Sequence, residues 1–145
     1  MKKIMFAMMT VLFIVNGCDK NPDPVTLPTL IQSVEIIDGD VYYVIRYGDT
    51  RQVRRYIFDD NDVFDHREEM TVFLTVKDAQ NAWSNFQSDL YAAGKQDLIV
   101  GMRVEDEILY VVYEREWDEE ECGDLTAEEL RAKIQYHIDN PKKPE

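Results

Sequence analysis

The stretch MTVFLTVKDAQNAWSNFQSDLYAAG, residues 70–94, decides the fold class. Its first eight residues alternate, with Val72, Leu74 and Val76 on one side and Thr71, Phe73, Thr75 and Lys77 on the other, which is the two-residue period of a half-buried strand. The period then changes. From Ala79 to Ala93 the apolar residues Ala79, Ala82, Trp83, Phe86, Leu90 and Ala93 recur at spacings of three and four, Asp78 stands where a helix cap belongs, and Gly94 ends the run. A strand leading into an amphipathic helix needs a sheet on which to bury that helix.

Upstream, Ser33 to Ile37 and Asp40 to Tyr47 flank Asp38-Gly39, a dipeptide suited to the positive φ angles of a two-residue hairpin. Gly48-Asp49 marks a second turn, which leads to a strand from Arg51 to Phe58 and then to the polar stretch Asp59 to Asp62. Downstream, Leu98 to Glu105 and Glu107 to Glu114 read as two further strands around Asp106, the first with Leu98, Val100, Met102 and Val104 facing inward. Residues 117–124 read as an acidic loop. Thr126 and Glu129 then form a capping box and Leu125 and Leu130 a hydrophobic staple, so a helix starts there and runs to about Asp139, before Asn140-Pro141. Its narrow stripe of Ala127, Leu130, Ile134 and Ile138 suggests peripheral docking. The expectation is an α+β domain, residues 31–140, with a mainly antiparallel sheet of five to six strands, one helix on one face and a C-terminal helix. Residues 141–145 read as a frayed tail.

The N-terminus has a different character. Lys2 and Lys3 precede twelve uncharged residues, Ile4 to Val15, and then Asn16-Gly17-Cys18. A basic head, an apolar run and a small residue at a cut point make a secretory signal over residues 1–17. Twelve residues at ~1.5 Å each cover roughly 18 Å, too little to span a hydrocarbon layer of ~30 Å. The run Val15-Asn16-Gly17-Cys18 resembles the lipobox of bacterial lipoproteins. That resemblance covers the first 18 residues only, and it implies a diacylglycerol thioether on Cys18, usually with a third acyl chain on the new amino group. Several chains anchor durably where one holds only marginally. Residues 18–30, with Pro22, Pro24 and Pro28, read as the lipidated cysteine and a flexible tether. The expected location is a membrane surface outside the cytoplasm, facing the periplasm or the cell surface, with Asp19 leaving inner and outer membrane open.

Charge narrows the partners. The chain carries 16 basic and 29 acidic residues for a formal charge of −13, and loss of residues 1–17 would remove Lys2 and Lys3 and no acid, giving −15. Such a balance repels phosphate backbones, so nucleic acid is excluded as a partner. With Cys18 alkylated, Cys122 is the remaining thiol, no intrachain disulfide can form, and its acidic neighbours disfavour the thiolate.

Frames for chemistry are sparse. There is no Gly-x-Ser-x-Gly, residues 18–145 hold only Ser33, Ser84 and Ser88, and His66 and His137 lie in unrelated contexts, His66 reading as an exposed turn histidine. Residues 59–65 group four aspartates, but an EF-hand starting at Asp60 would put Asp65 in place of the glycine and Thr71 in place of the bidentate glutamate. No catalytic residue, metal ligand or cofactor is assigned. The unusual feature is a reversal of charge: Arg46, Arg51, Arg54 and Arg55 cluster beside Tyr42, Tyr47 and Tyr56, residue types enriched in binding hot spots. Strand alternation suggests that Arg46 and Arg54 share one side and Arg55 the other. The reading is a lipid-anchored envelope lipoprotein whose acidic domain is a protein-binding or inhibitory module, with an envelope protein as partner. A structural or assembly subunit is the alternative, and a hydrolytic enzyme is the least supported.

Overall fold

The computed structural model describes residues 27–142. The expected signal, Cys18 and most of the expected tether therefore lie outside the described residues, as do residues 143–145 of the expected tail. The elements follow as β1 (Leu30–Ile37), β2 (Asp40–Tyr47), β3 (Thr50–Phe58), β4 (Phe64–Val72), α1 (Val76–Ala93), a 3-10 turn (Gln96–Leu98), β5 (Ile99–Glu105), β6 (Ile108–Tyr113), α2 (Arg115–Cys122) and α3 (Ala127–Asp139). All six strands join one antiparallel sheet in the order β1-β2-β3-β4-β6-β5. The α+β class and the largely consecutive antiparallel order are as the sequence implies.

Turn chemistry sets the register of the first hairpin. Asp38 and Gly39 both take positive φ, 52° and 89°, which closes β1 on β2 with Ile37 opposite Asp40. Register then sorts the side chains into two faces. One row on the first face runs Val41, Tyr56, Arg67, Tyr113 and Ile99, and the next runs Val34, Tyr43, Arg54, Glu69, Val111 and Met102. The helices cover this face in two places. α3 lies over β1 and β2, where Leu130 and Ala127 pack with Val41, Tyr56 and Phe64, while α1 lies over β5 and β6, where Trp83 and Phe86 meet Leu109, Val111 and Tyr113.

Between the two clusters stands Arg67. Its guanidinium lies 4.1 Å from the centre of the Tyr113 ring, and its Nε lies 3.3 Å from Asp118 Oδ2 on α2. Both side chains are buried, yet neither of those two atoms has an aligned hydrogen bond among the described residues. Burial pushes the Asp118 carboxyl up, and the nearby Arg67 charge only partly offsets it.

Four expectations need correction. The alternation over residues 70–77 does not continue as a strand: β4 occupies 64–72, and Thr75, not Asp78, caps α1. Thr75 Oγ1 accepts the Asp78 N–H while donating its own proton to Asp78 Oδ2, and this local cap outcompetes the strand pattern. The supposed acidic loop is mostly α2, with Asp118 and Cys122, one helical turn apart, turned into the protein. In β5 the register slips between Ile99 and Gly101, so Val100 points outward at 59% exposure while Ile99, Met102 and Val104 join the core. Finally, α3 is not peripheral, because Ala127 and Leu130 are buried in a core cluster.

Two of the aspartates in residues 59–65 hold the loop in place. Asp59 Oδ1 accepts the N–H groups of Asn61 and Val63 at 2.8 and 3.0 Å, and Asp62 Oδ1 accepts the Ala127 N–H at 2.9 Å, tying the loop to the start of α3. The capping box appears as read, with Thr126 and Glu129 each accepting the other's backbone N–H.

Candidate functional site

Among the described residues no helix covers the second face of the sheet. Its central rows run Glu35, Tyr42, Arg55, Glu68 and Val112, then Ser33, Val44, Val53, Met70, Tyr110 and Arg103, then Ile31, Arg46, Arg51, Val72, Ile108 and Glu105. Alternation puts them there for the same reason that it puts Val41 and Val111 in the core: successive side chains leave a strand on opposite sides. Val44, Val53 and Met70 lie directly across neighbouring strands from one another and continue to Tyr110. The result is an apolar ridge. Tyr42, Val53, Arg55, Glu68, Met70 and Tyr110 line a shallow depression of about 400 Å³ on it.

Arginines border this ridge. Arg55 Nη2 lies 2.7 Å from Asp40 Oδ2, its Nη1 lies 3.3 Å from Glu68 Oε2, and its guanidinium sits over the Tyr42 ring. Arg103 lies 4.3 Å from the Tyr110 ring centre and 3.6 Å from Glu105. Arg46 and Arg51 are register partners, side by side on adjacent strands, and no carboxylate of the described residues forms an ion pair with either. Like charges placed opposite each other on a sheet oppose folding. The face thus carries four arginines against Glu35, Asp40, Glu68 and Glu105, in a chain with nearly twice as many acids as bases.

No family model, curated protein or solved structure matches this chain. The site therefore stands on its own geometry.

That geometry divides the cluster read from the sequence. Arg46, Arg51, Arg55 and Tyr42 share the open face, so Arg46 does not share a side with Arg54. Arg54 lies on the helix face, with its Nε 3.2 Å from Glu69 Oε2 and 3.1 Å from Gln52 Oε1. The expectation failed because the two-residue turn pairs Arg46 with Arg51, and alternation from Arg51 then sends Arg54 to the other side. Tyr56 is buried beside Phe64 and Arg67, where burial pushes its phenol up. Tyr47 stays exposed at the end of β2, with the parity of the helix face. Arg103 and Tyr110 were missed. The alternation of Ile108, Tyr110 and Val112 is the signal that could find Tyr110, and the inward facing of Met102 and Val104 places Arg103, between them, on the other side of β5.

Three groups with chemical potential have defined surroundings. His66 sits in β4 rather than in a turn, half-buried, with Nδ1 2.7 Å from Asp65 Oδ2 and Nε2 3.9 Å from Glu68 Oε1. The Ser88 hydroxyl donates to the Ser84 carbonyl on α1. Burial, reinforced by Asp118 and Glu121, pushes the Cys122 thiol up to about 12, which leaves it protonated at neutral pH. Among the described residues no three His, Cys, Asp or Glu side chains group as metal ligands, and no helix is long and apolar enough to cross a membrane.

Proposed function

We propose that this chain is a lipid-anchored envelope lipoprotein whose uncovered sheet face holds a partner protein. The observation that carries the binding role is the apolar ridge of Val44, Val53, Met70 and Tyr110 bordered by Arg46, Arg51, Arg55 and Arg103. An apolar centre with tyrosines and arginines around it has the make-up of a protein-binding surface, and Arg46 and Arg51, without an ion pair among the described residues, favour a partner that brings carboxylates. Arg55, already held by Asp40 and Glu68, contributes its planar face rather than net charge. The partner is then an envelope protein with an acidic rim around an apolar patch.

The anchor rests on Val15-Asn16-Gly17-Cys18 and the proline-bearing segment after it. The segment from Asp19 to Thr29, if extended at ~3.1 Å per residue, would give roughly 35 Å of reach, enough to lift the sheet clear of the lipid headgroups. Cys18→Ala is expected to release the chain from membranes or stall it unprocessed, read by fractionation and by the mass of the mature product.

The binding face is tested by crosslinking in whole cells, comparing the natural chain with Arg46→Glu/Arg51→Glu. Both positions are exposed, so the fold should survive, as circular dichroism can verify. Loss of the crosslinked partner by tenfold or more supports the reading, at about 1.4 kcal/mol per tenfold. An unchanged set of partners with an intact fold would refute it.

A further inference from the structure

We infer that β1 pairs, antiparallel, with the β1 of a second copy of this chain, joining two six-stranded sheets into one of twelve. The edge of the sheet carries this, independently of the open face.

The exposed apolar side chains of this protein are unevenly placed. Of the twelve large hydrophobic residues that stand exposed among the described residues, five lie in one stretch of eleven: Leu27, Leu30, Ile31, Ile36 and Ile37. The same region is almost uncharged. Residues 25–37 contain one ionisable side chain, Glu35, in a chain that is 31% charged. A strand at a sheet edge is ordinarily protected by a lysine, a proline, a bulge or brevity, and β1 has none of these over eight residues. The opposite edge does: β5 is shorter, bulged at Gly101 and carries Arg103.

The backbone of β1 is ready to pair. In a two-residue hairpin the closing pair exchanges both hydrogen bonds, so Ile37, and with it Glu35, Ser33 and Ile31, direct their main-chain groups to β2. Leu30, Gln32, Val34 and Ile36 direct theirs to the free edge. No strand of the described residues takes them up.

The sequence of β1 selects a second copy and a register. A two-fold axis at Val34 sets Val34 opposite Val34, Ile31 opposite Ile37, Gln32 opposite Ile36 and Ser33 opposite Glu35. Apolar then meets apolar on the open side, and the serine hydroxyl can donate to the carboxylate. An axis at Ser33 would set Ile31 against Glu35, and an axis at Glu35 would set two carboxylates face to face. For two bodies that each carry excess negative charge, β1 is the approach with least repulsion. The axis is normal to the sheet, so both open faces end on the same side of the dimer.

Sedimentation velocity of the detergent-solubilised full chain, from about 1 to 100 µM, spans the range expected of a small strand-pairing interface. The natural chain should show a monomer–dimer equilibrium. Ile31→Glu/Ile37→Glu, at positions 55% and 42% exposed, should weaken it at least tenfold, whereas Ile31→Glu/Ile37→Lys should keep it, since opposite charges then face each other across the axis. Monomer at every concentration, or a dimer untouched by the paired glutamates, would overturn the inference. A second readout does not depend on those variants folding. Under mild oxidation Ser33→Cys/Glu35→Cys should form a disulfide-linked dimer and Ser33→Cys alone should not, because the facing non-hydrogen-bonded pair lies within disulfide reach and the diagonal one, at about 7–8 Å, does not. Crosslinking by the single variant alone would overturn the register, and crosslinking by neither would overturn the dimer.

Discussion

Arg67→Met is expected to destabilise the protein by about 3–5 kcal/mol, because it leaves the Asp118 carboxylate buried without its counter-charge. The stem of methionine fills much of the space, so lost volume contributes little. The pair itself adds little net stability: with no aligned hydrogen bond between Nε and Oδ2, attraction does not recover what both groups lose on leaving water. Arg67→Met/Asp118→Leu should therefore return to the stability of the natural chain or exceed it by about 1–4 kcal/mol. Urea denaturation of the natural chain, both single variants and the double variant forms a closed cycle that reads this coupling. A double variant as unstable as the worse single one would sink the account.

The same pair gives a pH dependence of unusual sign. Burial holds the Asp118 carboxyl above its ordinary 3.8, so the folded chain binds that proton more tightly than the unfolded chain does. As pH falls through the raised value toward 3.8, this group makes the folded state more stable, and as pH rises it makes it less so. Most paired carboxylates act in the opposite direction. Without Arg67 the carboxyl rises further, so the penalty of Arg67→Met should shrink as the solution is acidified from about pH 7 toward about pH 4. Denaturation at the two pH values measures this, and a penalty that grows on acidification would contradict it.

Phe64→Ala is the second large effect, with an expected loss of about 3–5 kcal/mol. Phe64 is 0% exposed, and its ring centre lies 5.9 Å from that of Phe58 and 6.3 Å from that of Tyr56. It also begins β4 where the chain returns from the aspartate loop, and its carbonyl accepts the Arg115 Nη1 proton at 2.8 Å while Arg115 Nη2 reaches the Gly123 carbonyl. The cavity would open beneath β4, α2 and α3 together, which leaves no single neighbour free to close it. Leu74→Ala, at a residue 67% exposed, is the control and should change stability by less than about 0.5 kcal/mol. Equal shifts in the denaturation midpoints of the two variants would show that the cluster around Phe64 is not the anchor of this half of the sheet.

Most of the secondary structure could be read from short-range chemistry. Asp38-Gly39, the Thr126/Glu129 box and the stripe from Ala79 to Leu90 each act within a few residues, and each appears in the fold. The failures came where two local signals competed. At Thr75 a side-chain cap displaced the alternation begun at Met70, and at Gly101 a bulge reversed the facing of Val100. In Arg115–Cys122 the density of acids obscured a helix that turns only Asp118 and Cys122 fully inward.

The candidate surface was half legible for the same reason. Arginines and tyrosines close in sequence are evident by inspection, but whether two of them share a face depends on how many residues the intervening turn consumes. Arg46 and Arg51 meet because Gly48-Asp49 is a two-residue turn, and Arg54 leaves them because alternation sends it to Glu69.

By itself, the order of residues determined the α+β class, the Asp38-Gly39 turn and the Thr126/Glu129 capping box, the last two through chemistry between near neighbours. Tertiary structure alone decided that Arg67 would meet Asp118, fifty-one positions later, that β4 and β6 would become neighbours and so bring Tyr110 and Arg103 to the ridge, and that β1 would have no further strand beside it among the described residues. Those outcomes depend on which strands become neighbours. Strand order is set by the burial of whole faces, a balance summed over the entire chain that no short segment encodes.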